Sequence, residues 1–115
     1  MKKILLWLDD YRNPFDKEID WLVFSPIGKD INVKWVKTQI EFQDYIMIHG
    51  LPDAICFDHD LGTHNGDGYE CAKWLCNYCD IHNKKIPEYA VQSANTVGKQ
   101  NIISYLENYK KHTEE

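Results

Sequence analysis

The sequence predicts an α/β domain built on an open parallel sheet of about four strands. Two apolar runs, residues 4–8 and 54–57, show no polar alternation, which is typical of strands covered on both faces of a parallel sheet. Both runs end directly in aspartates, and segments of helical periodicity separate the later strands. Ligands bind at the carboxyl ends of parallel strands, so we expect the functional site at that edge.

Length and composition favour one domain, residues 1–115. The chain has 115 residues, of which 43% are hydrophobic, enough for one core and too few for two ordinary domains. A net charge of -5 argues against a general DNA-coating protein and against a polybasic membrane anchor. The sequence shows no export signal and no apolar run of membrane length, so we expect a cytoplasmic protein with reduced cysteines.

The first strand is followed by the acid pair Asp9 and Asp10. If this strand neighbours the one before Asp58, all three acids lie within reach of one cation, because adjacent strands are about 4.8 Å apart. Carboxylates without a soft ligand suit Mg²⁺ or Mn²⁺. A helix N-cap is the alternative role for the pair, but Tyr11–Pro14 would break such a helix. Arg12 is predicted either to bind a phosphate or to pair with one of these acids.

Residues 15–31 predict an irregular insertion rather than a full helix between the first two strands. The side chains that a short helix or loop here would bury are Trp21, Leu22 and Phe24. The alternating run 32–37 then predicts a strand near the sheet edge. Thr38 is placed to cap a following helix, and Gly50 to end it.

The central apolar run delivers Asp58, His59 and Asp60 to the site edge. Because buried charge is costly without a metal or counter-ion, these residues favour a binding site over an acidic turn that caps the next loop. A glycine-rich turn over residues 62–68 leads into a helix over about 69–82. A C-x2-C-x2-H spacing on this helix is assigned to the core, because no second zinc-ligand cluster is present in the sequence.

The fourth strand is predicted over residues 87–92, with Ser93 and Asn95 at its exit. A hydroxyl and an amide there suit phosphoryl oxygens, although both residues are also ordinary turn formers. The last helix is predicted to begin near residue 97, so its amino end faces the same edge. Lys99 in its first turn adds positive charge for anion binding.

Three motifs carry a family resemblance. The segments Leu8–Pro14, Phe57–Gly62 and Gln92–Gly98 are similar to the patterns L-D-D-x-R-x-P, D-H-D-L-G and H-S-x-N-P-x-G of the cyclic-phosphate processing receiver-like family. This family is a divergent relative of response-regulator receiver domains, so the resemblance implies a receiver-like, flavodoxin-like fold. Gln92 stands where the family often has His, and Thr96 where it often has Pro. The fifth strand of receiver domains, with its phosphate-pairing lysine, and their first helix have no counterpart in this sequence.

The resemblance implies a metal-dependent phosphoesterase that processes the cyclic or terminal phosphate of a nucleotide or an RNA end. Mg²⁺ or Mn²⁺ would polarise a phosphoryl oxygen, Asp9 or Asp60 would orient water, and His59 would act as general acid or base. The residues assigned are Asp10, Asp58 and Asp60 as metal ligands, Asp58, His59 and Asp9 as catalytic groups, and Arg12, Ser93, Asn95 and Lys99 as substrate-binding groups. The alternatives are a non-catalytic module that sequesters a phosphorylated nucleotide, and a receiver that accepts a phosphoryl group on Asp58.

Overall fold

The computed structural model describes residues 2–113, and residues 1, 114 and 115 lie outside the described range. The strands are β1 (Lys3–Leu8), β2 (Ile31–Val36), β3 (Ala54–Phe57) and β4 (Glu88–Val91). The helices are α1 (Gln39–His49), α2 (Gly68–Ile81) and α3 (Thr96–Thr113), and a 3₁₀ turn covers Trp21–Phe24. The predicted elements are therefore present, with bounds that differ from prediction by about one residue.

The four strands form one parallel sheet in the order β2-β1-β3-β4. This confirms the predicted open parallel sheet and the position of β2 at its edge. In the register of the sheet, Trp7 of β1 lies between Trp35 of β2 and Cys56 of β3. The carboxyl ends of β1 and β3 are therefore neighbours, as the prediction of a shared acidic site requires.

The two faces of the sheet are covered differently. Leu6 and Leu8 of β1 face the helical side, where they pack with the buried residues of α1, α2 and α3. Leu5 and Trp7 alternate to the opposite side, because successive side chains of a strand point to opposite faces. The insertion covers that second face with the partly buried side chains of Trp21, Leu22 and Ile27.

One prediction about the insertion is wrong. Trp21 and Leu22 are partly buried as expected, but the Phe24 side chain is 42% exposed. Its ring stacks on the outside of Trp21, with 6.2 Å between the ring centroids. In a 3₁₀ turn, side chains three positions apart lie on the same side, so Phe24 packs on the Trp21 ring and not on the sheet.

The helix ends follow the predicted capping chemistry. Thr38 Oγ1 accepts the backbone N–H of Glu41, and the Glu41 carboxylate accepts the backbone N–H of Lys37. The arrangement resembles a capping box, except that Glu41 accepts the N–H of the residue before the cap and not that of Thr38 itself. Gly50, with φ of 84°, ends the same helix, since glycine adopts this left-handed conformation without strain.

The cysteines belong to the core. All four are free and buried, and three of them lie on α2. Burial raises the pKa of the Cys76 thiol to about 12, so the free thiol is neutral near pH 7. Cys76 and Cys79 lie in the core as predicted, whereas His82 of the same spacing is exposed. Among residues 2–113, no helix is long and apolar enough to cross a membrane.

Candidate functional site

Three aspartates meet at the carboxyl edge of the sheet. Asp9 and Asp10 follow β1, and Asp58 follows β3, which pairs directly with β1. One carboxylate oxygen from each lies within 4.8 Å of the other two. We call these three residues the acidic cluster. Its donor set consists of hard oxygens only, so the residues present fit Mg²⁺ or Mn²⁺.

Asp9 also organises the loop that follows β1. Its side chain is fully buried, and Oδ1 accepts the backbone N–H groups of Tyr11 at 2.9 Å and Arg12 at 2.8 Å. Oδ2 lies 3.3 Å from the Arg12 guanidinium. The sequence predicted Asp9 or Asp60 as the group that orients water. In the structure both Asp9 oxygens contact the loop, so Asp10 and Asp58 are the carboxylates with fewer contacts inside the protein.

The surroundings of Asp58 shift the pKa of its carboxyl group. Burial raises its pKa to about 7, and the neighbouring negative charges of Asp9 and Asp10 act in the same direction. The positive charge of Arg12 and the nearby Ser93 hydroxyl oppose this shift. Asp58 therefore holds its proton to a much higher pH than an ordinary aspartate does. A bound divalent cation would favour the charged form, because opposite charge stabilises a carboxylate.

Arg12 is the cation that the protein itself supplies to this cluster. Its guanidinium lies 3.3 Å from Asp9 Oδ2 and 3.7 Å from Asp58 Oδ1. It also lies over the Trp21 ring, 5.2 Å from the centroid, at a distance typical of a cation–π contact. Of the two predicted roles, the ion pair is the one the structure contains. The guanidinium remains partly exposed, so it is accessible to an anion beside the cluster.

His59 forms a second group at the same edge. Its Nδ1 lies 2.9 Å from Asp60 Oδ1. A carboxylate only accepts hydrogen bonds, so Nδ1 carries the hydrogen, and in the neutral ring Nε2 is the acceptor. The Asn95 amide then has Asp60 Oδ1, at 3.4 Å, as its acceptor. We call these three residues the His59 group. The hydrogen bond from His59 is the main cause that lowers the pKa of Asp60.

The structure therefore does not bring Asp60 to the acidic cluster, where the sequence predicted it as a metal ligand. Asp60 forms an isolated antiparallel bridge with Asp67, so the chain is already turning away from the sheet at this residue. Its exposed side chain is directed to the imidazole rather than to Asp58. Its observed contacts are those of a residue that orients His59.

Two glycines fix the His59 group by close approach. A Cβ on Gly98 would lie 2.4 Å from Cγ of the His59 ring, so the ring rests directly on the first turn of α3. Asn95 Oδ1 accepts the Gly98 N–H at 2.9 Å and thereby caps α3. Gly68 donates its N–H to the His59 carbonyl at 2.8 Å, and a Cβ there would lie 2.1 Å from the Asp58 carbonyl oxygen. The sequence assigned these glycines to turns and did not reveal either contact.

The remaining predicted residues lie at the exit of β4. Ser93 is partly buried, accepts the Asn95 N–H at 3.1 Å and influences the pKa of Asp58, so it lies at the site as expected. The Lys99 side chain is exposed and makes no ion pair within residues 2–113. Gln92 was not predicted as a site residue. It is buried, its amide donates to the Leu8 carbonyl at 3.3 Å, and its Oε1 has no partner among the described residues.

The sequence of the chain also matches a known protein family. Residues 4–108 match the family described as "Cyclic-phosphate processing Receiver domain". The chain belongs to this family. The family match includes both the acidic cluster and the His59 group. No curated protein sequence matches the chain.

Solved structures similar to this chain share its fold. A structure containing a segment of the yeast Spc42 trimeric coiled coil, fused to a second protein, matches with a TM-score of 0.61 and 17% identity. That match covers 95% of this chain and 64% of the fusion, so the chain spans less than two thirds of it. The phosphorylated cyanobacterial phytochrome response regulator RcpA matches with a TM-score of 0.50, 18% identity and coverage of 96% and 93%. The response regulator domain of Thermotoga maritima CheB matches with a TM-score of 0.50, 14% identity and coverage of 100% and 98%. At these identities the matches support the receiver fold alone.

Proposed function

We propose that the protein is a divalent-metal-dependent phosphoesterase that opens or removes the cyclic or terminal phosphate of a nucleotide or an RNA end. The observation that carries this proposal is the position of the His59 group beside the acidic cluster. His59 follows Asp58 directly in the chain, so a proton-transfer group and a cation site share one edge. A receiver that only accepts a phosphoryl group has no need of an oriented imidazole there.

The acidic cluster supplies the cation ligands in this proposal. Asp10 and Asp58 would hold Mg²⁺ or Mn²⁺, while Asp9 keeps the loop in place. When bound, the ion supplies Lewis-acid activation of a phosphoryl oxygen and of water. The Arg12 guanidinium, beside the same carboxylates, binds a second phosphoryl oxygen. The Ser93 hydroxyl at the end of β4 is placed to donate to a third.

The His59 group moves the proton. Asp60 and Asn95 fix the imidazole so that Nδ1 carries the hydrogen and Nε2 is the acceptor. Nε2 takes the proton from the attacking water and returns it to the ester oxygen that leaves phosphorus. For a cyclic phosphate, one P–O bond forms to water oxygen and one ring P–O bond breaks, which gives a phosphomonoester and a free hydroxyl.

The test is a substrate panel read by ³¹P NMR. Purified protein is incubated with Mg²⁺ or Mn²⁺ and with nucleoside 2′,3′-cyclic phosphates, 3′,5′-cyclic nucleotides and short RNAs ending in a cyclic or terminal phosphate. We expect the wild type to convert at least one compound, and Asp58→Ala or EDTA to abolish conversion. If every compound survives but one shows a shifted ³¹P line with wild type alone, the protein is a binding module and the proposed proton transfer is wrong.

A phosphoacceptor receiver is the second candidate. It is favoured by the central position of Asp58 in the shared fold and by the nearby Ser93 hydroxyl. Against it, Arg12 is the single basic side chain paired with Asp58 within residues 2–113, and the four strands that these residues form bring no lysine into an ion pair with Asp58. Incubation with acetyl phosphate and Mg²⁺ separates the two candidates. A lasting adduct on wild type that is absent from Asp58→Ala, by intact mass, would favour the receiver.

A further inference from the structure

The loop after β1 carries two members of the acidic cluster, yet no α-helix follows it. Residues 9–12 lead into the irregular insertion instead. A helix would bond many backbone groups internally and fix the direction of the chain. Without one, the polar backbone groups of this loop need other partners wherever water is excluded. The structure supplies these partners from side chains.

Two indoles bond the carbonyl groups at the two ends of the loop. Trp35 Nε1 donates to the Asp9 carbonyl at 2.8 Å, and Trp7 Nε1 donates to the Arg12 carbonyl at 2.9 Å. The two tryptophans are register partners on β1 and β2, and both pack on the insertion side of the sheet. We call them the indole pair. An indole is rigid and has one donor, so each ring fixes one carbonyl in a defined direction.

The indole pair is itself held in place by its surroundings. Trp7 is fully buried in β1, and the Lys37 ammonium lies 4.3 Å from the centroid of the Trp35 ring. Between the two anchored carbonyls, Asp9 Oδ1 accepts two backbone N–H groups of the loop, as described above. The loop is therefore tied at its first residue, at its last residue and through its interior.

We propose that Trp7 and Trp35 are positioning residues of a divalent-cation site, and that their indole N–H groups hold the loop so that Asp10 is kept beside Asp58. This inference rests on the proposed function, because it takes the acidic cluster to bind a cation. The indoles touch neither the ion nor the substrate. They act by ordering the ligand loop before the cation arrives, which lowers the entropic cost of binding.

The test compares Trp35→Phe with the matched control Trp74→Phe. Both tryptophans are partly buried, but Trp74 packs against Phe42 and Tyr78, and its indole N–H makes no hydrogen bond in the described residues. Removing a partner that orients a metal ligand typically costs about tenfold or more in affinity. By calorimetry we expect Trp35→Phe to weaken Mg²⁺ binding about tenfold and Trp74→Phe to change it by less than about twofold.

A second readout needs no metal. In the Mg²⁺-free protein we expect the backbone amides of Tyr11 and Arg12 to exchange with solvent faster in Trp35→Phe than in Trp74→Phe or wild type. Equal Mg²⁺ affinity and equal exchange in the two variants would overturn the inference. If wild type binds neither Mg²⁺ nor Mn²⁺, the cation site of the proposed function fails, whereas the exchange rates still report whether the indoles order the loop.

Should Trp35→Phe fail to fold, the wild type alone decides the question. Its indole ¹H–¹⁵N resonances are assigned and followed during titration with Mg²⁺. We expect the Trp7 and Trp35 resonances to shift, because their acceptor carbonyls belong to the ligand loop, and the Trp74 resonance to stay. Trp7 and Trp35 resonances that do not move at saturating Mg²⁺ would overturn the inference.

Discussion

The acidic cluster and the His59 group share one edge of the sheet but are built in opposite ways. Around the acidic cluster, large side chains do the positioning, since two indoles and an aspartate hold the loop after β1. Around the His59 group, the absence of side chains allows close packing. Gly68 and Gly98 let α2 and α3 approach the segment that carries His59. The same edge therefore combines a loop fixed by added contacts with a turn fixed by close approach.

The charge balance of the two groups differs as well. The acidic cluster places three carboxylates against one guanidinium, and the pKa of Asp58 is raised first by burial and then by the negative charges of Asp9 and Asp10. In the His59 group the Asp60 carboxylate is matched by the imidazole and by the Asn95 amide, and its pKa is lowered. The acidic cluster therefore keeps unbalanced negative charge available for a cation. The polar groups of the His59 group already have hydrogen-bond partners, and its imidazole is oriented for proton transfer.

The largest expected effect is that of Asp58→Asn. This change should abolish measurable Mg²⁺ binding, a loss of at least about 100-fold, because it removes a direct ligand. At pH 8 it should also stabilise the metal-free protein by about 2 kcal/mol, since each unit of a raised carboxyl pKa corresponds to about 1.4 kcal/mol before solvent screening is allowed for. Calorimetry and urea unfolding measure the two effects. The control His59→Gln should leave Mg²⁺ affinity unchanged. An equal loss of Mg²⁺ affinity in both variants would show that the two groups form a single cation site.

Gly98→Ala should have the next largest effect, and on activity alone. A methyl group there meets the His59 ring at 2.4–2.8 Å, so the imidazole has to move. We expect turnover to fall about 100-fold, the typical contribution of general acid–base catalysis. The free energy of unfolding should change by less than about 1 kcal/mol. The higher helix propensity of alanine offsets the packing that is lost when the ring moves away from α3. Mg²⁺ affinity should not change. The imidazole resonances of His59 should shift in the variant, and their constancy would show that the ring does not depend on this contact.

The pH dependence of cation binding tests the proposed role of Asp58 in the acidic cluster. Asp58 has a pKa raised to about 7, so it is largely protonated at pH 6 and ionised at pH 8. Mg²⁺ affinity should therefore fall roughly tenfold from pH 8 to pH 6, since the ion competes with one proton. Stability of the metal-free protein should change in the opposite sense. A folded pKa above the unfolded one means that stability is greatest below pH 4 for this group and is lost as the pH rises through 7. In Asp58→Asn the pH dependence of stability should be flatter, because the group that titrates near 7 is absent.

The smallest overall effect is expected for Asp60→Asn. Because Asp60 contacts His59 and Asn95 and lies outside the acidic cluster, Mg²⁺ affinity should change by less than about twofold. Turnover should fall about tenfold, since the imidazole loses the charge that fixes its tautomer. Calorimetry and the ³¹P assay read the two quantities. A tenfold loss of Mg²⁺ affinity would show that Asp60 is a metal ligand and that the two groups do not act separately.

Much of the site followed from sequence because strand ends are easy to locate. The apolar runs before Asp9 and Asp58 are continuous and short, and each stops at an acid. In a parallel sheet, such ends must lie at one edge. The structure places Asp60 apart from the acidic cluster, because neighbours in sequence do not share a direction in a turn. Its antiparallel bridge to Asp67 directs it to His59, and that bridge joins residues on opposite sides of a glycine-rich turn.

The parallel sheet, the edge that carries the acids, the capping of α1 and the insertion between the first two strands are all predictable from sequence. These features depend on local hydrophobic patterns and on residues a few positions apart. Folding was needed to show that Trp7 and Trp35 bond the loop after β1, that Gly98 lies under the His59 ring and that Gln92 reaches the end of β1. Each of these contacts joins residues on different elements, and tryptophan, glycine and glutamine have many ordinary roles. The roles of these residues depend on the neighbours that folding brings to them, so no local sequence pattern predicts those roles.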